Sequence, residues 1–144
     1  MTSGTASSAP ERARGILATL WGASFMAAIV IPFVLYARGA IETDGLKPGL
    51  EDLSGIYAPH IGAILTYYFA TKKRARSAVM KRTTFLLALA ISGLWNLAVF
   101  TLILPPLWGS GGLIDATGTA KNIVPQLAWV LGPVLGYFFA KAAD

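Results

Sequence analysis

Four stretches of this chain, residues 15–37, 55–71, 84–104 and 123–140, contain no Asp, Glu, Lys or Arg. Long uncharged apolar runs read as bilayer spans, because a hydrocarbon core about 30 Å thick takes about 20 residues of helix to cross. The first run, about 22 residues, would extend roughly 33 Å at 1.5 Å per residue. The second holds about 17 residues and is short for a span. It ends at Lys72, Lys73, Arg74 and Arg76, whose long side chains can snorkel to the headgroups and lengthen it. The third closes on Pro105 and Pro106, which cannot continue a helix. Composition agrees: 55% of the 144 residues are hydrophobic and 13% charged, whereas soluble domains carry about 25% charged residues. Four spans with short connections imply an all-α membrane protein, an antiparallel four-helix bundle.

The remaining sequence is punctuation. Residues 1–11 are Ser, Thr, Ala, Gly and Pro with almost no bulky apolar side chain, and read as a disordered tail preceding a single domain over residues 12–144. Residues 38–54 hold Glu42, Asp44, Glu51 and Asp52 among Gly39, Gly45, Pro48 and Gly49, which is loop chemistry; those acids read as solvated charges without a basic partner. Residues 107–122, with Gly109, Gly111, Gly112 and Gly118, read as a second loop. The first run resembles a signal peptide in its basic-then-apolar order, but its length exceeds the 7–15 apolar residues typical of one, so a retained helix, kinked at Pro32, is the stronger reading.

Charge sets the orientation. Arg12, Arg14, Lys72, Lys73, Arg74, Arg76, Lys81, Arg82 and Lys141 fall on one side of the spans, and only Arg38, Lys47 and Lys121 on the other. Nine against three places both termini in the cytoplasm by the positive-inside rule, with the nine cations also meeting lipid headgroups. A bacterial-type inner membrane is the expected location. Tyr36, Tyr57 and Trp108 then read as an outer aromatic belt and Tyr67, Tyr68 and Tyr137 as an inner one. The net charge of +5 is accounted for by this clustering, so nucleic acid is not an expected partner.

Sliding the chain on itself by 70 residues lays residues 61–70 on 131–140 with half of those ten positions identical, Gly62 on Gly132 among them. Leu17 also falls on Leu87 and Ala28 on Ala98. A tandem duplication of a helical hairpin is one reading; shared interfacial demands on inward-ending helices are the other.

Few residues carry chemistry. Asn96 lies near the middle of the third run, where an unpaired amide is costly, and reads as an interhelical contact more readily than as part of a polar pathway. His60, the single histidine, titrates near neutral pH in its reference state but has no partner for a metal or haem set. Ala18 with Gly22, Ala58 with Gly62, and Gly132 with Gly136 repeat the small-xxx-small spacing of close helix packing. The absence of cysteine excludes disulfides and thiolate chemistry. No catalytic, metal or cofactor site is expected. Because the four runs lack the ionisable groups of driven carriers, the expectation is a non-enzymatic protein acting as a homo-oligomer, with a pore shared between copies. The alternative is an accessory or assembly subunit of a larger membrane complex; a small transporter or a lipid-acting enzyme is a distant third.

Overall fold

The computed structural model describes residues 9–71 and 82–140, and every element among them is helical. Helix α1 spans Ala9–Ala37. Helix α2 spans Thr43–Thr66 and runs on as a π-helical turn, Tyr67–Thr71. Helix α3 spans Arg82–Ile103 and is followed by a 3-10 turn, Pro105–Trp108. The last rod is interrupted: α4 over Leu113–Ile123, a 3-10 turn over Val124–Leu127, α5 over Ala128–Leu135, and a second π-helical turn, Gly136–Ala140. Three stretches, Glu11–Ala37, Arg82–Ile103 and Leu113–Phe139, are long and apolar enough to cross a membrane.

The buried positions explain why these segments pair as helices. Along α1, Leu17, Trp21, Ser24, Ala28, Ile31 and Leu35 are buried, at alternating spacings of four and three that keep one stripe facing the interior. Ala88, Ser92, Trp95, Val99 and Ile103, at spacings of four, three, four and four, form a like stripe along α3. At one end Arg14 lies over the Tyr67 ring and beside Phe138; at the other Arg38 Nη1 donates to the Leu107 carbonyl at 3.3 Å. These contacts make α1 and α3 parallel to each other and antiparallel to α2 and the last rod. Around the bundle the order is α1, α2, the last rod, α3, so each hairpin lies beside the other with like helices adjacent.

Two expected loops are shorter than their composition suggests. Helix α2 begins at Thr43, so Asp44, Lys47, Pro48, Gly49, Glu51 and Asp52 are helical. Packing against α1 and α4 overrides the local breakers: Leu53 is fully buried, and a methyl on Gly49 would sit 2.8 Å from Leu113 Cδ2. Here the absent side chain lets α2 and α4 approach closely. The Gly-rich segment likewise contracts to the turn around Gly109 and Gly111, whose φ of 78° and 80° lie in the left-handed region, and Gly118 is helical. Helix α1 already includes residues 9–11, which the composition assigned to a tail; residues 1–8 lie outside the described residues.

The internal sequence match and the burial pattern are out of phase. At the offset of 70, buried Leu17 falls on Leu87, which is 60% exposed, and buried Tyr67 on Tyr137, 45% exposed. One residue further, Leu17 meets Ala88, Ala28 meets Val99 and Ile64 meets Leu135, all buried. One position turns a helix by about 100°, so the identities do not equate inward faces.

Candidate functional site

Two buried polar side chains, Ser92 and Asn96, lie at mid-height in a layer shared by α1, α2 and α3. Ser92, Trp95 and Asn96 fall at i, i+3 and i+4 on α3, and Tyr57 and His60 at i and i+3 on α2, spacings that put each set on one helix face. Trp21 enters from α1. Its ring centroid lies 4.8 Å from His60 and 4.8 Å from Trp95. Tyr57 meets Trp95 edge-on at 5.4 Å, and His60 meets Trp95 edge-on at 5.0 Å. Phe25 closes the cluster against Tyr57. Edge-to-face rings at these separations add about 0.5–1.5 kcal/mol per pair beyond burial.

Hydrogen bonds tie the layer together. Tyr57 Oη donates to Asn96 Oδ1 at 3.1 Å, Asn96 Nδ2 donates to the Ser92 carbonyl at 2.8 Å, and Trp21 Nε1 donates to Ser92 Oγ at 3.3 Å. Asn96 thus joins α3 to α2, and Ser92 joins α3 to α1. The indole N–H of Trp95 is buried without an acceptor. His60 is half-buried between two indoles, and among the described residues no group of three His, Cys, Asp and Glu converges.

Charged contacts occupy the two ends. Arg14, 8% exposed, donates from Nε to the Phe138 carbonyl at 2.8 Å, with its guanidinium 5.0 Å from the Tyr67 centroid. It therefore ties both π-helical turns to the start of α1. At the opposite end Lys121 Nζ lies 2.6 Å from Asp52 Oδ1, and Thr117 Oγ1 donates to Asp52 Oδ2 at 3.4 Å. Asp52 is a paired helical residue and not the solvated loop charge its neighbours in sequence suggested. Lys47 and Glu51 form an exposed i, i+4 pair at 3.8 Å.

The other singled-out residues are distributed as follows. Arg12 and Arg82 are exposed, while Lys72, Lys73, Arg74, Arg76, Lys81 and Lys141 lie outside the described residues. Ala58, Gly62 and Gly132 face outward, and Ala18, Gly22 and Gly136 are half-buried. A methyl on Gly22, Gly62, Gly132 or Gly136 would meet nothing within 4 Å, so these glycines are not close-approach points within the bundle; Gly49 is. Tyr57, assigned by sequence to an outer belt, is fully buried, whereas Tyr36 and Trp108 are exposed. Sequence reasoning passed over Trp21, Ser92 and Trp95. The available signal was their position far from the run ends, where an interfacial role is excluded and an indole or hydroxyl needs an internal partner.

The described residues therefore form an all-helical bundle with three helices long and apolar enough to cross a membrane. Compared with protein families, characterised proteins and solved structures, the chain matches none.

Proposed function

We propose that this chain is a small, non-enzymatic integral membrane protein that does its work in an assembly, with a packed scaffold at its centre and α2 as the helix offered to a neighbour. The observation that carries this reading is the contrast between outward faces. Helix α1 shows Met26, Val30 and Phe33, and α3 shows Leu86, Leu87, Leu94 and Leu97. Helix α2 shows Lys47, Glu51, Gly55, Ala58 and Gly62, with large apolar side chains, Leu65 and Phe69, exposed only towards its other end. Large apolar side chains suit lipid, while small and polar ones suit another helix. Helix α2 also falls outside the three membrane-length apolar helices, yet it runs the full height of the bundle beside α1. Its crossing as a fourth span is part of this proposal, as is the orientation with both termini cytoplasmic in a plasma or inner membrane.

A second reading, a passive pore, has one favourable observation. The same face of α2 supplies polar and small residues that would line a path between three or more copies. A path through a single bundle is disfavoured by the interior, where Trp21, Tyr57, Leu17, Leu35, Leu53 and Val99 are fully buried. Photo-crosslinkers placed at Ala58 and Leu94 in native membranes test the assembly reading. Protein adducts at position 58 and lipid adducts at 94 are expected; lipid adducts at both would refute it. Conductance of the purified protein in bilayers, abolished by bulky residues at Ala58, would favour the pore. Reporter fusions should place Ser77 in the cytoplasm and Gly112 outside, and a cytoplasmic Gly112 would contradict the four-span orientation.

A further inference from the structure

The partner at α2 can be specified from the charges it carries and the height at which it carries them. Trp21 lies beside His60 and Phe25 beside Tyr57. This antiparallel register puts Lys47 and Glu51 level with about residues 30–35 of α1. At that height α1 turns Val30, Phe33 and Val34 outward, an apolar surface of the kind that faces hydrocarbon. On α2 the Lys47 and Glu51 side chains are 83% and 66% exposed. One side of the bundle is thus built for lipid and the other, at the same level, shows an ion pair that hydrocarbon would not solvate. Something polar covers it.

We infer that the cover is a second copy of this chain, its α2 packed against this α2 about a twofold axis parallel to the bundle axis. This rests on the reading of α2 as the helix facing a partner. Two copies inserted in the same orientation must pair their helices in parallel, and a closed pair uses the same patch on both. Residue i then faces its own counterpart, so a patch of one sign would repel itself. This patch holds one cation and one anion a single turn apart. Lys47 of each copy then has two anions one turn away, its own Glu51 and the partner subunit's Glu51, which offset the repulsion between the like charges that face each other across the axis. A shallow groove of about 430 Å³, lined by Thr43, Leu46, Lys47, Leu50, Glu51 and Ser54, receives the partner's side chains there. Towards the other end, Gly55 and Gly62 have open space where a side chain would stand, with Ala58 between them. The two backbones can therefore approach closely below these charges.

The native chain has no cysteine, so single cysteines report the interface directly in the full-length protein in membranes. Oxidation should join Ala58→Cys and Gly62→Cys chains into dimers, while Leu94→Cys, on the outward face of α3 at 69% exposure, stays monomeric. Lys47→Glu and Glu51→Lys each give all four charges at the axis one sign and should weaken dimerisation about tenfold, an effect typical of close charge pairs at interfaces. The double variant Lys47→Glu with Glu51→Lys rebuilds the pattern with reversed signs and should recover to within about twofold of the native chain. All these sites are exposed, and an unchanged thermal melt checks that each variant folds. Dimers that form through position 94 but not 58 or 62 would overturn the inference, as would a double variant no better than the single ones. Photo-adducts from position 58 to a different protein would overturn the second copy as partner while leaving the assembly reading intact. A monomer whose photo-crosslinker at position 58 reaches only lipid would overturn both.

Discussion

Helices α2 and α3 both contribute to the interior and differ in what they show outside it. Tyr57 and His60 of α2 and Ser92, Trp95 and Asn96 of α3 form the same layer, and the Tyr57–Asn96 hydrogen bond joins them directly. Outward, α3 shows Leu86, Leu87, Leu94 and Leu97, whereas α2 shows a charge pair, then small residues, and only at its far end Leu65 and Phe69. The difference teaches that inward packing and outward solvent are specified by separate residue sets on one helix. A helix can therefore match its neighbours in burial and still be adapted to a different environment.

The strongest challenge to the shared half of this comparison is Trp21, which touches the rings of both Tyr57 and Trp95. Truncating it as Trp21→Ala should cost about 3–5 kcal/mol, read as a large drop in melting temperature in detergent. The outward halves separate at insertion. Leu94→Lys puts a charge at mid-height on the outward apolar face of α3 and should cost about 2.5–3.5 kcal/mol on an insertion scale, whereas Glu51→Lys should leave the inserted fraction unchanged. Glycosylation mapping during membrane insertion measures both, and equal losses would erase the distinction between the two faces.

A smaller effect is expected at the bond between the helices. Asn96→Leu strands the buried Tyr57 hydroxyl and should cost about 1–3 kcal/mol. Adding Tyr57→Phe should return part of that loss, because no unpaired group then remains. If the double variant is as unstable as the sum of the singles, the hydrogen bond is not what couples α2 to α3. Smallest is Arg14→Lys, which keeps the charge but gives up the guanidinium contact over the Tyr67 ring and the Nε bond to Phe138. A loss of about 1 kcal/mol, with insertion unaffected, would separate the contact made by Arg14 from the orienting role proposed for its charge.

The apolar runs made α1, α3 and α5 legible, because unbroken hydropathy is a local property. The first half of α2 was not legible: Gly45, Pro48 and Gly49 signal a loop locally, and only the close seat of Gly49 on Leu113 makes helix the better state. Asn96 stood out as an amide inside an apolar run, but its partner Tyr57 was hidden by the usual interfacial preference of tyrosine. Pairings such as Asp52 with Lys121 depend on tertiary register across 69 positions and leave no mark in local sequence. The small-residue spacings were visible, yet their outward direction depends on helix rotation, which the 70-residue match itself placed one position out of phase.

The most direct test of the contrast between α2 and α3 uses nitroxide labels on single cysteines at Ala58 and Leu94 in lipid bilayers, with collision by dissolved oxygen reporting exposure to hydrocarbon. The two positions lie at closely similar heights in the bundle, so depth does not separate them. The account predicts frequent collisions and a mobile label at 94, and rare collisions with an immobilised label at 58. Equal, high oxygen accessibility at both positions would contradict it.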